Sequence, residues 1–285
     1  TSGAGCVTPE NFAAGPLNDS DATHPDLIVA NSGGDGGAFP FGSISVFLQS
    51  GAGFANATRY TGGANPICTG GVNAGLVCAS NLDCRGRCSV ATATPCSDDP
   101  DCPTAQTCSN PAPGTCTISP KGAAVGLVNS DGNRDVMVCE NVTGKASMLP
   151  GNGTGAFATV GTTVTTGAGP RIPLLKDLDF DSDLDLVTIN RNDSTISTFL
   201  GDNAGNFVTV SATIPAGRDP WRGVLADFNQ DGWDDVAAAN ITAGAAGISL
   251  GDGAGHFGVP VRFGAGATPS DIASADFNAD GKPDL

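Results

Sequence analysis

The sequence predicts an all-β protein, and three observations carry that prediction. Gly (41) and Pro (19) are abundant among the 285 residues while charged residues make up only 15%, and Gly and Pro are the two poorest helix formers. The apolar residues, 40% of the chain, fall in short β-rich runs bounded by Gly, Asn and Asp, which are strand and turn signals. Those runs recur in a fixed order about every 50 residues, room for four strands per unit.

The repeat is clearest at its acidic clusters. One copy reads Asp227-Phe-Asn229-Gln-Asp231-Gly232-Trp233-Asp-Asp235, and a later one Asp276-Phe-Asn278-Ala-Asp280-Gly281-Lys282-Pro-Asp284. An earlier copy is Asp177-Leu-Asp179-Phe-Asp181-Ser182-Asp183-Leu-Asp185. Before it, Leu127-Val-Asn129-Ser-Asp131-Gly132-Asn133-Arg-Asp135 has lost the first acid, and a degenerate copy runs from Asn18 to Asp26. The last three intervals between the final acids are 50, 50 and 49 residues, whereas Asp26 and Asp135 lie 109 apart, about two periods. The excess is a cysteine-rich block.

Each unit then follows one grammar. A β-rich run comes after the acidic loop (Leu27–Asn31, Val136–Cys139, Leu186–Asn190, Val236–Asn240), and a second run follows it (Ile44–Leu48, Ile196–Leu200, Ile248–Leu250). A Gly-rich turn ends in Phe54, Phe157, Phe207 or Phe257, and a Pro (Pro66, Pro170, Pro220, Pro269) precedes a small-residue strand into the next acidic loop. The opening strand of the first unit lies at about Phe12–Leu17. The predicted architecture is a β-propeller of four-stranded antiparallel blades, four of them plus the start of a fifth, with a small disulfide-rich insertion. Three segments follow: 1–66 (N-terminal arm and first blade), 67–119 (insertion) and 120–285 (remaining blades). The chain stops at Leu285 just after an acidic loop, so the expectation is an open end completed by further chain or by a neighbouring copy.

Eight of the ten cysteines lie between Cys68 and Cys116. An even, dense set of this kind reads as a disulfide-stapled module of a secreted protein. Zinc would need paired Cys-x2-Cys or Cys/His knuckles, and the closest pair is Cys84-x3-Cys88 beside only two histidines, His24 and His256. Cys6 and Cys139 stand apart. They pair with each other, or Cys139 is a buried strand thiol. A chain start at Thr1 fits a mature exported protein and equally a cut boundary.

The formal net charge is −16. Such a surface repels phosphate, which argues against nucleic acid and anionic membranes and favours divalent cations. No run of 18 apolar residues occurs, so no membrane insertion is expected.

The Asp-x-Asx-x-Asp-Gly-x-x-Asp loops, in register with the Gly-x-Gly-x-Phe turns, resemble the FG-GAP/VCBS repeat family over about 12–66 and 121–285. These are the calcium-binding propeller repeats of integrin α-subunit heads and many secreted bacterial proteins. The resemblance implies Ca2+ at the loops, and the chemistry agrees. Ca2+ takes six to eight oxygens, acids at loop positions 1, 3 and 5 converge when the chain curls, Gly at 6 allows the turn, position 7 offers a carbonyl and position 9 a carboxylate. The candidate ligands are Asp177, Asp179, Asp181, Asp183 and Asp185; Asp227, Asn229, Asp231, Trp233 and Asp235; and Asp276, Asn278, Asp280, Lys282 and Asp284. A weaker set is Asn129, Asp131, Asn133 and Asp135. Ser182 replaces the turn Gly, which suggests a stiffer or different turn.

The functional expectation is an extracellular or cell-surface calcium-binding propeller with a structural or adhesive role, in a surface or filamentous assembly. Its partners would be calcium ions, copies of itself in a head-to-tail polymer, or cell-surface proteins or glycans. It is expected not to be an enzyme, since two His, the single Tyr60 and acids committed to loops offer no acid–base pair. The alternatives are a carbohydrate-binding lectin-like propeller and, behind it, a polysaccharide-active enzyme.

Overall fold

Strands that are apolar on both faces need cover on both, and the chain supplies it by stacking sheets around a common axis. The computed structural model describes residues 9–15, 17, 26–31, 43–50, 53–54, 58–61, 67–69, 115–117, 120–157 and 160–285. The first blade runs through β1 (Pro9–Gly15), β2 (Asp26–Asn31) and β3 (Ser43–Phe47), a small hairpin of β4 (Gln49–Ser50) and β5 (Gly53–Phe54), and β6 (Thr58–Thr61). After it, β7 (Ile67–Thr69) pairs antiparallel with β8 (Thr115–Thr117), Cys68 standing in register with Cys116. The rest of the expected disulfide insertion, with Cys6, lies outside the described residues.

Three more four-stranded blades follow in simple meander order. The second is β9 (Pro120–Gly126), β10 (Asp135–Glu140), β11 (Lys145–Leu149) and β12 (Thr163–Thr165). The third is β13 (Pro170–Lys176), β14 (Asp185–Asn190), β15 (Thr195–Gly201) and β16 (Phe207–Pro215). The fourth is β17 (Pro220–Ala226), β18 (Asp235–Asn240), β19 (Ala245–Ser249) and β20 (Val261–Gly264). The propeller expectation holds, and no helix occurs among the described residues. The fifth acidic copy is a loop closed by an isolated bridge between Ala275 and Asp284.

The second strand is the buried one in the second, third and fourth blades, while Leu27 and Val29 of β2 are half-buried. Every residue of β10, β14 and β18 is buried, and successive side chains point to opposite neighbours. From β10, Val136 and Val138 pack with Ile28, Ile44 and Val46 of the first blade, while Met137 and Cys139 pack with Leu186 and Phe199 of the third. From β14, Val187 and Ile189 reach Val236 of the fourth. Cys139 is thus a free, fully buried thiol in an inter-blade core, which is the packed alternative rather than a clip to the N-terminal arm.

One irregularity repeats in all four blades, and a second in the last three. The first strand carries one extra residue at the same register point, with slips at Pro9/Asn11, opposite Cys139/Glu140, at Pro170/Ile172 and at Pro220/Arg222. A bulge of this kind re-aims the extra side chain, here Lys121, Arg171 and Trp221. The Gly-rich turn leans on the blade before it. Gly155, Gly205 and Gly255 have φ of +79°, +81° and +77°. A Cβ on Gly155 would overlap Leu48, one on Gly205 would lie 2.9 Å from Met148 Cε, and one on Gly255 3.2 Å from Leu200 Cδ2.

In all four blades the last Asp of the acidic loop opens the second strand and ties the blade end together. Asp185 Oδ2 accepts from the Leu178 N–H at 2.7 Å and Oδ1 from the Gly201 N–H at 2.9 Å. Asp235 accepts from Phe228 (2.9 Å) and Gly251 (2.8 Å), Asp135 from Val128 (3.1 Å) and Gly151 (3.0 Å), and Asp26 from Leu17 and Gln49 (both 2.7 Å). Replacing Asp235 by Ala leaves two backbone donors without their charged acceptor. Asp235→Ala is expected to cost about 3 kcal/mol of stability, read from denaturant unfolding in excess chelator so that metal binding does not contribute.

Candidate metal centre

The acidic loops share one hydrogen-bonded frame, built by their own side chains. The residue at position 3 receives the backbone N–H of position 5, and position 5 receives that of position 7. The first bond runs from Asp181 to Asp179 (3.3 Å), Asp231 to Asn229 (2.9 Å), Asp280 to Asn278 (2.8 Å) and Asp131 to Asn129 (2.9 Å). The second runs from Asp183 to Asp181 (2.9 Å), Trp233 to Asp231 (2.9 Å), Lys282 to Asp280 (3.0 Å) and Asn133 to Asp131 (2.7 Å). Position 1, where it is an acid, receives the N–H of position 6: Ser182 to Asp177 (3.0 Å), Gly232 to Asp227 (2.9 Å), Gly281 to Asp276 (2.8 Å).

Position 6 is left-handed in every described loop, with φ of +80° at Gly132, +94° at Gly232, +83° at Gly281 and +78° at Ser182. Ser182 therefore takes the same turn as glycine rather than a different one. Position 4 is also left-handed in three loops, at Phe180, Gln230 and Ala279.

The loop of the third blade differs in what it gathers. Ligand oxygens of Asp177, Asp179 and Asp185 lie within 4.8 Å of one another, the one such acidic trio among the described residues. Asp177 Oδ1 is buried and has no hydrogen-bond partner. A desolvated carboxylate oxygen without a donor is costly, and a hard divalent cation among three carboxylates satisfies it. The residues present fit such an ion. Burial raises the Asp185 carboxyl to about 6, against the lowering pull of the Gly201 and Leu178 N–H groups, and Asp179 and Asp181 add repulsion. Asp183 is raised by desolvation and then by Asp181, Asp202, Asp177 and Asp179.

The other sequence candidates keep the frame without this convergence of carboxylates. In the fourth blade Asn229 takes the place of an acid, and Asn229 Nδ2 donates to Asp231 at 2.8 Å. Trp233 turns its ring onto Gly253 and against Phe180 of the third loop, centroids 5.2 Å apart. Asp276, Asn278, Asp280 and Lys282 are exposed, and Asp284 accepts the Phe277 N–H at 3.0 Å. Position 9 is expected from sequence as a ligand, and Asp135, Asp185 and Asp235 are also the pins of their blades. Asp202, which lies in the neighbouring Gly-rich turn outside the acidic motif, adds to the field on the third loop.

A family model described as FG-GAP-like repeat matches residues 177–238 and 227–285, so the last two acidic loops and the candidate trio fall within recognised repeats. No curated protein matches the chain. Among solved structures, the chain resembles the periplasmic gluconolactonase of Pseudomonas aeruginosa at 17% identity and a TM-score of 0.45, over 92% of this chain and 72% of that one. It also resembles a putative 6-phosphogluconolactonase from Bacteroides uniformis (13% identity, TM-score 0.41, 92% of this chain and 87% of that one). A further likeness is to a putative 6-phosphogluconolactonase from Bacteroides fragilis (14%, TM-score 0.39, 85% and 67%). Two expectations are corrected here: that the chain is a structural or adhesive protein, and that it is not an enzyme. These three solved structures bear the titles of lactonases, which are enzymes. The absence of an acid–base pair was a poor ground for the exclusion, since a count of residue types does not locate a site. The likeness is one of fold and assigns no reaction to this chain.

Two measurements bear on the loop. Ser182→Gly relieves a side chain held at positive φ and is expected to stabilise the protein by about 0.5–1 kcal/mol, net of the freedom glycine adds to the unfolded chain, as a raised unfolding midpoint. Asp185 has its folded pKa, about 6, above its ordinary 3.8, so the folded state holds the extra proton. Its contribution is full below the unfolded value and is lost as pH rises through about 6. Metal-free protein should therefore melt at a lower temperature at pH 7.5 than at pH 5, and Asp185→Asn should flatten that dependence.

Proposed function

We propose that this chain, FG-GAP-like over residues 177–285, is a calcium-binding β-propeller whose principal ion site is the third-blade loop. The observation that carries the reading is the buried, unpartnered Asp177 Oδ1 beside Asp179 and Asp185. Three carboxylates held that close repel one another unless a cation neutralises them. Calcium is favoured over magnesium, because a loop offering several carboxylates and carbonyls suits six to eight flexible oxygens better than near-ideal octahedral geometry. The loop at Asp227–Asp235 is a second, weaker site with one amide in place of an acid, and those at Asp276–Asp284 and Asn129–Asp135 follow it.

In this reading the ion acts on the blade through Asp185. The same carboxylate that would face the cation holds the Leu178 and Gly201 N–H groups, so binding there tightens the end of the third blade. An extracellular setting goes with it, supported by the eight cysteines between Cys68 and Cys116.

A ligand that binds only the folded state adds RT ln(1 + [L]/Kd), about 2.7 kcal/mol at a hundredfold excess over Kd. Calcium is therefore expected to raise the melting temperature of chelator-treated protein. Asp179→Asn, which preserves shape and removes a charge, should remove most of that gain, while Asp276→Asn should remove little. An unchanged melting curve on adding calcium, with no calcium retained by elemental analysis, refutes the reading.

A further inference from the structure

The face opposite the acidic loops carries different chemistry. Acidic loops join first to second strands, whereas the turn at 191–194 joins β14 to β15 and so lies at the other end of the antiparallel blade. There the third and fourth blades meet around a recess of about 450 Å3 lined by Arg191, Asn192, Ser194, Arg218, Asp219 and Thr242. The bulged residues of the two blades stand beside it. The guanidinium carbon of Arg171 sits 3.5 Å, and that of Arg191 4.3 Å, from the centre of the Trp221 ring.

We propose that this recess binds an oxyanion carried by a small molecule. Its one lining carboxylate is already engaged. Asp219 Oδ1 accepts from Arg191 Nε at 2.5 Å and Oδ2 from Thr242 Oγ1 at 3.0 Å. The Asp219 N–H donates to Ser194 Oγ at 3.4 Å, and the residue is held at φ +56°. The nearby Asp193 is likewise committed, receiving the Ala168 N–H and the Thr195 hydroxyl, both at 2.7 Å. Asp219 thus fixes Arg191 by its Nε and leaves the two Nη groups with no acceptor among the described residues. Arg218, exposed at the rim, likewise has no partner among the described residues. Two guanidinium forks with unspent donors, one of them fixed by a carboxylate and an indole face, match the planar or tetrahedral oxygens of a carboxylate or phosphate.

The repeat supplies the control. One period away, Asn141 and Ile241 stand where Arg191 is, Ala168 and Ala267 where Arg218 is, and Gly169 and Thr268 where Asp219 is. A feature needed by the blade itself would recur in each unit, as the buried Asp and the turn glycines do. This set occurs at a single junction, in a chain whose charge of −16 otherwise repels anions.

The test is calorimetric titration of the full chain with sodium phosphate and with sodium malonate, at constant ionic strength in chloride. Saturable binding of at least one anion is expected with a Kd of about 1 mM or tighter, and the tighter of the two names the ligand's acidic group. Arg218→Gln, which breaks no hydrogen bond or ion pair within the described residues, should weaken it at least about tenfold without moving the melting temperature. Arg191→Gln should do the same or worse, and Arg262→Gln, an exposed arginine on β20, should change nothing. No saturation by either anion up to about 20 mM, or equal binding by wild type and Arg218→Gln, or equal weakening by Arg262→Gln, overturns the proposal.

Discussion

A buried carboxylate at the start of the second strand organises each blade. Asp26, Asp135, Asp185 and Asp235 each bond one N–H from the beginning of the acidic loop and one from the end of the third strand or the turn after it. The first of those N–H groups belongs to Leu17, Val128, Leu178 or Phe228, and the side chains of Leu17, Val128 and Leu178 plug the cores between neighbouring blades. One residue therefore couples the strand ladder, the loop and the inter-blade packing. Charged acceptors make stronger hydrogen bonds than neutral ones, and burial of the acceptor makes their loss expensive. The same interaction survives in the first blade, where the acidic loop itself has degenerated.

The loop is built on that anchor, and its own side chains supply its hydrogen-bonded frame. Side chains at positions 1, 3 and 5 receive backbone N–H groups in the loops of the third, fourth and fifth units alike. What varies is how many carboxylate oxygens remain over after the frame is satisfied. In the third unit the surplus converges on one point; in the fourth an amide dilutes it. The copies therefore share the loop frame and differ in how many carboxylates they bring together.

Much of the architecture was legible in the sequence because the repeat is visible three ways at once, in the acids, the β-rich runs and the glycines. The run Leu186-Val-Thr-Ile-Asn190 is the fully buried β14, and the Pro before each first strand marks the register slip at Pro170 and Pro220. The acidic trio was within the predicted set, yet nothing in the letters separates Asp177 and Asp179, which converge with Asp185, from Asp181, which does not. The dual role of Asp185 was hidden because a ligand and a hydrogen-bond acceptor are the same residue type. The arginine recess was illegible for the opposite reason. Arg171, Arg191 and Arg218 belong to no shared motif and meet only because a bulge and two turns from adjacent blades bring them together.

The turn glycines have a consequence for the order in which the molecule is made. Gly155, Gly205 and Gly255 each come close to a side chain of the preceding blade, Leu48, Met148 and Leu200 in turn. Every such contact points back toward the N-terminus. During synthesis, the surface that a blade must dock against has therefore already left the ribosome when the docking turn emerges. Assembly can advance one blade at a time, each finished unit serving as the template for the next, as in other arrays held by nearest-neighbour contacts. A side chain at one of these glycines, held at positive φ and pressed against the preceding blade, would weaken that docking step.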